Sequence, residues 1–156
     1  MKNDKSIQLK IATILRKIGS KKCLAKAEML EKLASPRSLH LRSLDLNSEN
    51  IISIASCFSQ ENTNNYNLIK SISFSYNTQM GNLGVTILAK NLPKSITEIG
   101  LVGCGISDSG GIELLNSMEN MPNLQMICVE ENHFSKEVSI KFREFSQNNP
   151  QILVVF

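Results

Sequence analysis

Similar phrases recur every 27 or 28 residues along this chain, and this period constrains its fold more than any other feature. Aliphatic residues lead the phrases at Leu41, Ile69, Ile96, Leu124 and Ile152. Another apolar residue follows each leader after three positions, and in the first four phrases a third follows after five. The alternating end of the phrase predicts a short strand with one buried face. A fixed period of this length is typical of architectures in which each unit stacks on its neighbour.

The hydrophobic period changes from strand-like to helix-like after each phrase. In the third phrase Asp108 is a good N-cap, and Leu114, Leu115 and Met118 follow at the spacing of one helix face. Prolines then end each predicted helix and return the chain to the next strand, at Pro93, Pro122 and Pro150. Strands and helices that alternate in this way predict an α/β fold.

The eighth position after the leader holds Asn77, Cys104 and Asn132 in the second to fourth phrases. A turn after each strand leaves inward-facing backbone groups that need hydrogen-bond partners. An asparagine amide can supply both a donor and an acceptor there, and cysteine fills the same place as a small buried group. The first phrase has Glu49 at this position, which predicts a different first turn.

On these features the chain resembles the leucine-rich repeat family, of the ribonuclease-inhibitor type. The clearest phrases are 96–106 and 124–134, and the resemblance covers about residues 28–156. It implies a right-handed α/β solenoid with short parallel strands on a concave face, helices on a convex face, and a role in binding other proteins. Some bacterial members of the family resemble effectors that act in a host cell. A non-repetitive, doubly wound parallel α/β domain is the alternative.

Residues 1–37 are predicted to form an N-terminal helical cap with an incomplete first repeat, and residues 38–156 the solenoid. Ile7, Ile11 and Leu15 have helical spacing, and Gly19 ends that helix. Ser20 then caps a second helix, about 21–34, with an inner face predicted at Leu24, Ala27, Leu30 and Leu33. Solenoids need such caps because an end repeat has no neighbour to bury its core.

The net charge of +3 conceals two regions of opposite sign. Residues 1–42 carry 11 Lys and Arg against 3 Asp and Glu, whereas the remainder carries 6 against 11. An alternative function is therefore an adaptor whose basic helices bind an anionic membrane or nucleic acid. Its cations would be Lys10, Arg16, Lys17, Lys21, Lys22 and Lys26. A solvated polar helix face is the plainer interpretation of the same residues.

No residue pattern predicts catalysis, a metal site or a cofactor, so we expect a protein that is not an enzyme. The 105–110 segment has P-loop spacing but lacks the lysine and the hydroxyl residue that bind phosphate and magnesium. His40 and His133 belong to distant phrases, and the four cysteines contain no CxxC pair. The chain has no apolar run near 18 residues, and its cysteine use predicts reduced thiols and a cytoplasmic location.

The predicted partner-binding residues lie between the buried strand positions and on the adjoining rim. They are Asp45, Ser73, Tyr76, Glu98, Met126, Cys128 and Glu130. The acidic members favour a basic protein partner, and the face is expected to become apolar at Val154 and Phe156. The fifth strand is expected to leave an open edge, which predicts self-association as a further possibility.

Overall fold

The computed structural model describes residues 6–34, 36–59 and 69–156, and it confirms the predicted α/β class. Its strands form one parallel sheet in sequence order. They are β1 (Ser38–His40), β2 (Ser71–Ser73), β3 (Glu98–Gly100), β4 (Met126–Cys128) and β5 (Leu153–Val155). Because neighbours in sequence are also neighbours in the sheet, equivalent residues of successive units stand side by side.

A layer of helices packs against one face of this sheet. The helices are α1 (Ile7–Ile18), α2 (Lys21–Glu31), α3 (Ser48–Ser56), α4 (Gly81–Asn91), α5 (Asp108–Met118) and α6 (Lys136–Asn148). The helices from α3 to α6 contact one another in chain order, and one apolar core runs from α1 to β5. Within the described ranges, no helix has both the length and the apolar character needed to cross a bilayer.

The central residue of every strand faces this core. These residues are in register across the sheet and all are buried: Leu39, Ile72, Ile99, Ile127 and Val154. Side chains alternate along a strand, so the flanking residues point to the other side. We call that side the open strand face, and it carries Ser38, His40, Ser71, Ser73, Glu98, Gly100, Met126, Cys128, Leu153 and Val155. All of these except Ser73 are exposed or half-exposed.

The predicted register is confirmed in the three middle strands and is wrong in the first and last. Leu39 pairs with Ile72, whereas the repeat pattern predicted Leu44 in that place. At the other edge Val154 pairs with Ile127, one residue before the predicted Val155. The apolar residues of both segments satisfy the pattern in more than one register, and a one-residue shift exchanges the two faces of a strand.

The turn after β2 is organised around the amide of Asn77, which is fully buried. Its Oδ1 accepts hydrogen bonds from the backbone N–H groups of Leu44 at 3.1 Å and Leu46 at 3.0 Å. Its Nδ2 donates to the carbonyls of Leu41 at 2.8 Å and Phe74 at 2.6 Å. One side chain thus supplies four backbone groups in two consecutive units with partners, as predicted for this position.

Asn132 repeats this arrangement two units later. Its Oδ1 accepts from the N–H groups of Cys104 and Ile106 at 3.0 and 3.1 Å. Its Nδ2 donates to the carbonyls of Leu101 and Val129, both at 2.8 Å. The two asparagines therefore stabilise the turns of four successive units.

Cys104 occupies the equivalent position between the two asparagines. Its thiol donates to the carbonyl of Phe74 at 3.4 Å, and burial raises its pKa to about 11. In the first unit the same position is Leu44, not the predicted Glu49, because β1 begins earlier than expected. A leucine offers no hydrogen bond, so the first turn depends on the amide of Asn77 for its partners.

The helix boundaries near the N-terminus agree well with their sequence signals. Gly19 ends α1 with a φ of 76°, and the hydroxyl of Ser20 accepts from the N–H of Cys23 at 3.2 Å. The predicted inner face of α2 is partly wrong, since Leu24 and Leu33 are exposed. Helix α3 was not predicted; the side chains of Asn47 and Asn50 form its capping box.

One continuous apolar core includes residues on both sides of the predicted domain boundary at residue 37. Ile7, Ile11 and Leu15 of α1 are buried in the same cluster as the strand residues, and α1 packs against α2 and α3. This packing is what a cap over the end of the core requires, and the capping role stays a prediction. Residues 1–5 and 35 of the predicted cap lie outside the described ranges.

We predict that Asn77→Ala lowers the free energy of unfolding by at least about 2 kcal/mol, because it leaves buried backbone groups without partners. Urea denaturation followed by circular dichroism measures the loss. Asn123→Ala is the matched control: Asn123 is exposed and its amide donates a hydrogen bond to the carbonyl of Lys94, so we expect a loss below about 0.5 kcal/mol. Equal losses in the two variants would contradict this account of the turns.

Candidate functional site

A shallow hollow of about 250 Å³ lies on the open strand face and crosses β1 to β4. Five of the seven predicted partner-binding residues line it: Ser73, Glu98, Met126, Cys128 and Glu130. The volume is below the range of about 300–1,000 Å³ that encloses small molecules. The shape therefore suits a chain segment laid across the strands better than an enclosed ligand.

The floor of the hollow is made of small side chains that are already fixed. Ser73 and Ser75 are only 8% and 2% exposed, and their hydroxyl groups are 3.2 Å apart. The Oγ of Ser75 also accepts from the N–H of Val102 at 3.1 Å. Gly100 completes the floor, where a β-carbon would lie 2.7 Å from the Oγ of Ser73. The glycine thus makes room for the serine, and the floor is preformed.

Charged side chains of both signs stand around this floor. Arg42 is the cation on the β1 side, where His40 also lines the hollow, and the anions Glu98 and Glu130 line it on the side of β3 and β4. The ion pairs found among the described residues include none of Arg42, Glu98 and Glu130. The sequence interpretation missed His40 and Arg42 because it placed β1 too late in the chain. The alternation Leu39-x-Leu41, which matches Ile72-x-Phe74, was the available signal.

Tyr76 lies on the rim, as predicted, at a turn position where successive units share an unusual backbone conformation. The equivalent residues Ser43, Tyr76, Gly103 and Glu131 all have positive φ angles, between 54° and 64°. The ring of Tyr76 contacts the backbone of Gly103, where a β-carbon would lie 3.1 Å from Cδ1. The guanidinium carbon of Arg42 is 5.5 Å from the ring centroid, within cation–π distance. This contact orients Arg42 at the edge of the hollow.

The predicted placement of Asp45 on the open strand face is wrong. With β1 at 38–40, Asp45 falls beyond the turn, and its Oδ2 lies 2.8 Å from the Nζ of Lys22 on α2. The apolar end of the face is also different from the prediction. Val154 is buried, and Phe156 stacks on Phe142 with ring centroids 6.2 Å apart, so Leu153 and Val155 take their places.

Acidic partners neutralise part of the basic surface predicted on α1 and α2. Arg16 binds Glu31 through two hydrogen bonds, of 2.7 and 2.6 Å, and Lys22 binds Asp45. Burial lowers the pKa of Lys26. These contacts hold α1 to α2 and α2 to the turn after β1, so the cations have structural roles. Binding of these helices to an anionic surface stays a prediction.

The groups considered for catalysis remain apart. His40 belongs to β1 and His133 follows β4, with two strands between. Among the described residues, no three His, Cys, Asp or Glu side chains form a group that could hold a metal ion. The four cysteines are free thiols; Cys23, Cys57 and Cys104 are buried, and Cys128 is half-buried on the open strand face.

Burial raises the pKa of the Cys128 thiol, and the negative charges of Glu130 and Glu98 raise it further. Because only the thiolate is alkylated, we expect Cys128 to react more slowly with iodoacetamide than free cysteine at pH 8. In the double variant Glu98→Gln/Glu130→Gln, the midpoint of the rate–pH profile should move to lower pH. Peptide mass spectrometry reads this site separately from the other thiols. Glu119→Gln is the control, and an unchanged midpoint in the double variant would refute the electrostatic coupling.

Comparisons with known proteins establish similarity at the level of fold. No protein-family model matches the chain, and no curated protein matches it either. Among solved structures, the chain is similar to one described as leiomodin-1 actin-binding site 2, with a TM-score of 0.61 and 14% sequence identity. The match covers 76% of this chain and 68% of that one. At this identity the likeness concerns the fold alone.

Proposed function

We propose that this chain is a protein-binding module without catalytic activity, a short leucine-rich repeat solenoid that binds a partner protein on its open strand face. The observation that carries the proposal is the hollow, where charged groups without ionic partners among the described residues surround a preformed floor. A sheet face of this kind, exposed over β1 to β5, can contact another chain without rearrangement.

The architecture supports the repeat assignment in two ways. Units of 27 or 28 residues place equivalent residues in register from β2 to β5. Asparagine amides at matching positions bond the turns of neighbouring units. The name of the similar leiomodin structure describes an actin-binding site, which is consistent with protein binding by a related fold.

The chemistry of the face also favours a protein as the partner. Met126, Leu153 and Val155 provide apolar contact next to the acidic side chains of Glu98 and Glu130. Interfaces commonly combine an apolar centre with charged groups that orient the partner. A partner segment with at least one basic residue fits the acidic side.

Affinity capture from the source cell, with the full chain as bait, tests the proposal. We expect Glu98→Lys/Glu130→Lys to reduce recovery of the partner by about tenfold or more, because reversed charges repel its basic residue. Ser71→Trp should reduce it similarly, since Ser71 lines the hollow on the open strand face.

Two control variants carry the same types of substitution in the helix layer. Glu119→Lys/Glu144→Lys makes the same change in net charge at the C-cap of α5 and on α6, and Ser109→Trp adds the same bulk on α5. Both should retain the partner within about twofold. Full recovery by the open-face variants, or losses confined to the helix-layer variants, would show that binding uses another surface.

A further inference from the structure

The side chains that line the hollow change sign from one end to the other. Arg42 carries the positive charge on the β1 side, and Glu98 and Glu130 carry the negative charges on the β3 and β4 side. Between them the lining is uncharged, with Ser73 and Gly100 on the floor. Adjacent strands are about 4.8 Å apart, so β1 and β4 are separated by about 14 Å.

The two charged ends act independently of each other. The separations from β1, about 10 Å to β3 and about 14 Å to β4, both exceed the screening length of about 8 Å at physiological salt. Within the part of the chain that the structure describes, no ion pair involves Arg42, Glu98 or Glu130. Arg42 instead rests against the ring of Tyr76. Each end of the hollow can therefore bind an oppositely charged group of another molecule.

We propose that the open strand face selects an extended segment with an acidic residue over Arg42 and a basic residue between Glu98 and Glu130. This inference rests on the proposed function and specifies its partner. At about 3.3 Å per residue, an extended segment spans the distance with charges about four residues apart. Between its two charged residues the segment carries small or polar side chains, because the floor formed by Ser73 and Gly100 is closed.

A helical partner would need a different spacing. At a rise of 1.5 Å per residue, charges about 14 Å apart lie roughly nine residues apart on a helix. The spacing of the two charges along the partner's sequence therefore distinguishes an extended segment from a helix.

Selection from a displayed library of random dodecapeptides on the full chain tests the proposal. On the unmodified chain we expect enriched peptides with one acidic and one basic residue three to five positions apart. Selection on Arg42→Glu should lose the acidic preference, and selection on Glu98→Lys/Glu130→Lys should lose the basic one. Arg143→Glu, on the exposed side of α6, is the charge control and should leave the pattern unchanged.

Ser71→Trp separates the failure of this inference from the failure of the proposed function. Enriched peptides should bind this variant at least tenfold more weakly, and circular dichroism checks that each variant is folded. Peptides that need the open strand face but show no charge spacing, or show a helical spacing near nine, overturn the inference alone. Peptides that bind Ser71→Trp unchanged, or a library with no enrichment, overturn the proposed function as well.

Discussion

The structure depends on the hydrogen bonds of two asparagine amides. A chain that turns after every three-residue strand leaves N–H and C=O groups inside the protein, where each unsatisfied group is costly. Asn77 and Asn132 supply both kinds of partner, and each amide bonds backbone in its own unit and in the unit before. Because these bonds fix one unit against the next, the strands stay in register, and the side chains on the open strand face align.

The sequence pattern correctly placed the units that have asparagine or cysteine at the eighth position after the leader, and it misplaced the units that lack such a residue. Asn77, Cys104 and Asn132 identify the turns of the middle units, where the predicted register is correct. The first unit has Leu44 at this position, and its leucines fit the pattern in several registers. The last strand is apolar at consecutive positions, so the pattern alone could not decide which side chains face the core. Helix α3 was missed, although Asn47 and Asn50 carry its capping signal.

The residues of the candidate site that could be predicted belong to the correctly placed units, and those that could not be predicted belong to the misplaced first unit. Glu98, Met126, Cys128 and Glu130 come from correctly placed strands, and the structure brings them to one hollow. The misplaced β1 supplied Asp45 instead of His40 and Arg42. That error changed the electrostatic interpretation, because the sequence predicted an acidic face and the structure has opposite charges at its two ends. Ion pairs such as Arg16 with Glu31 join residues distant in sequence, and no local pattern predicts them.

The alternation of core and face residues within each three-residue strand has an evolutionary consequence. At most positions, the side chains that stabilise the fold and those on the open strand face are different residues, as Ile127 and its neighbours Met126 and Cys128 illustrate. Mutations can therefore change the open strand face while the fold persists; the bonded pair Ser73 and Ser75 is an exception, because both residues are buried and also line the hollow. The similar solved structure shares only 14% sequence identity with this chain, so likeness of fold alone does not identify a ligand.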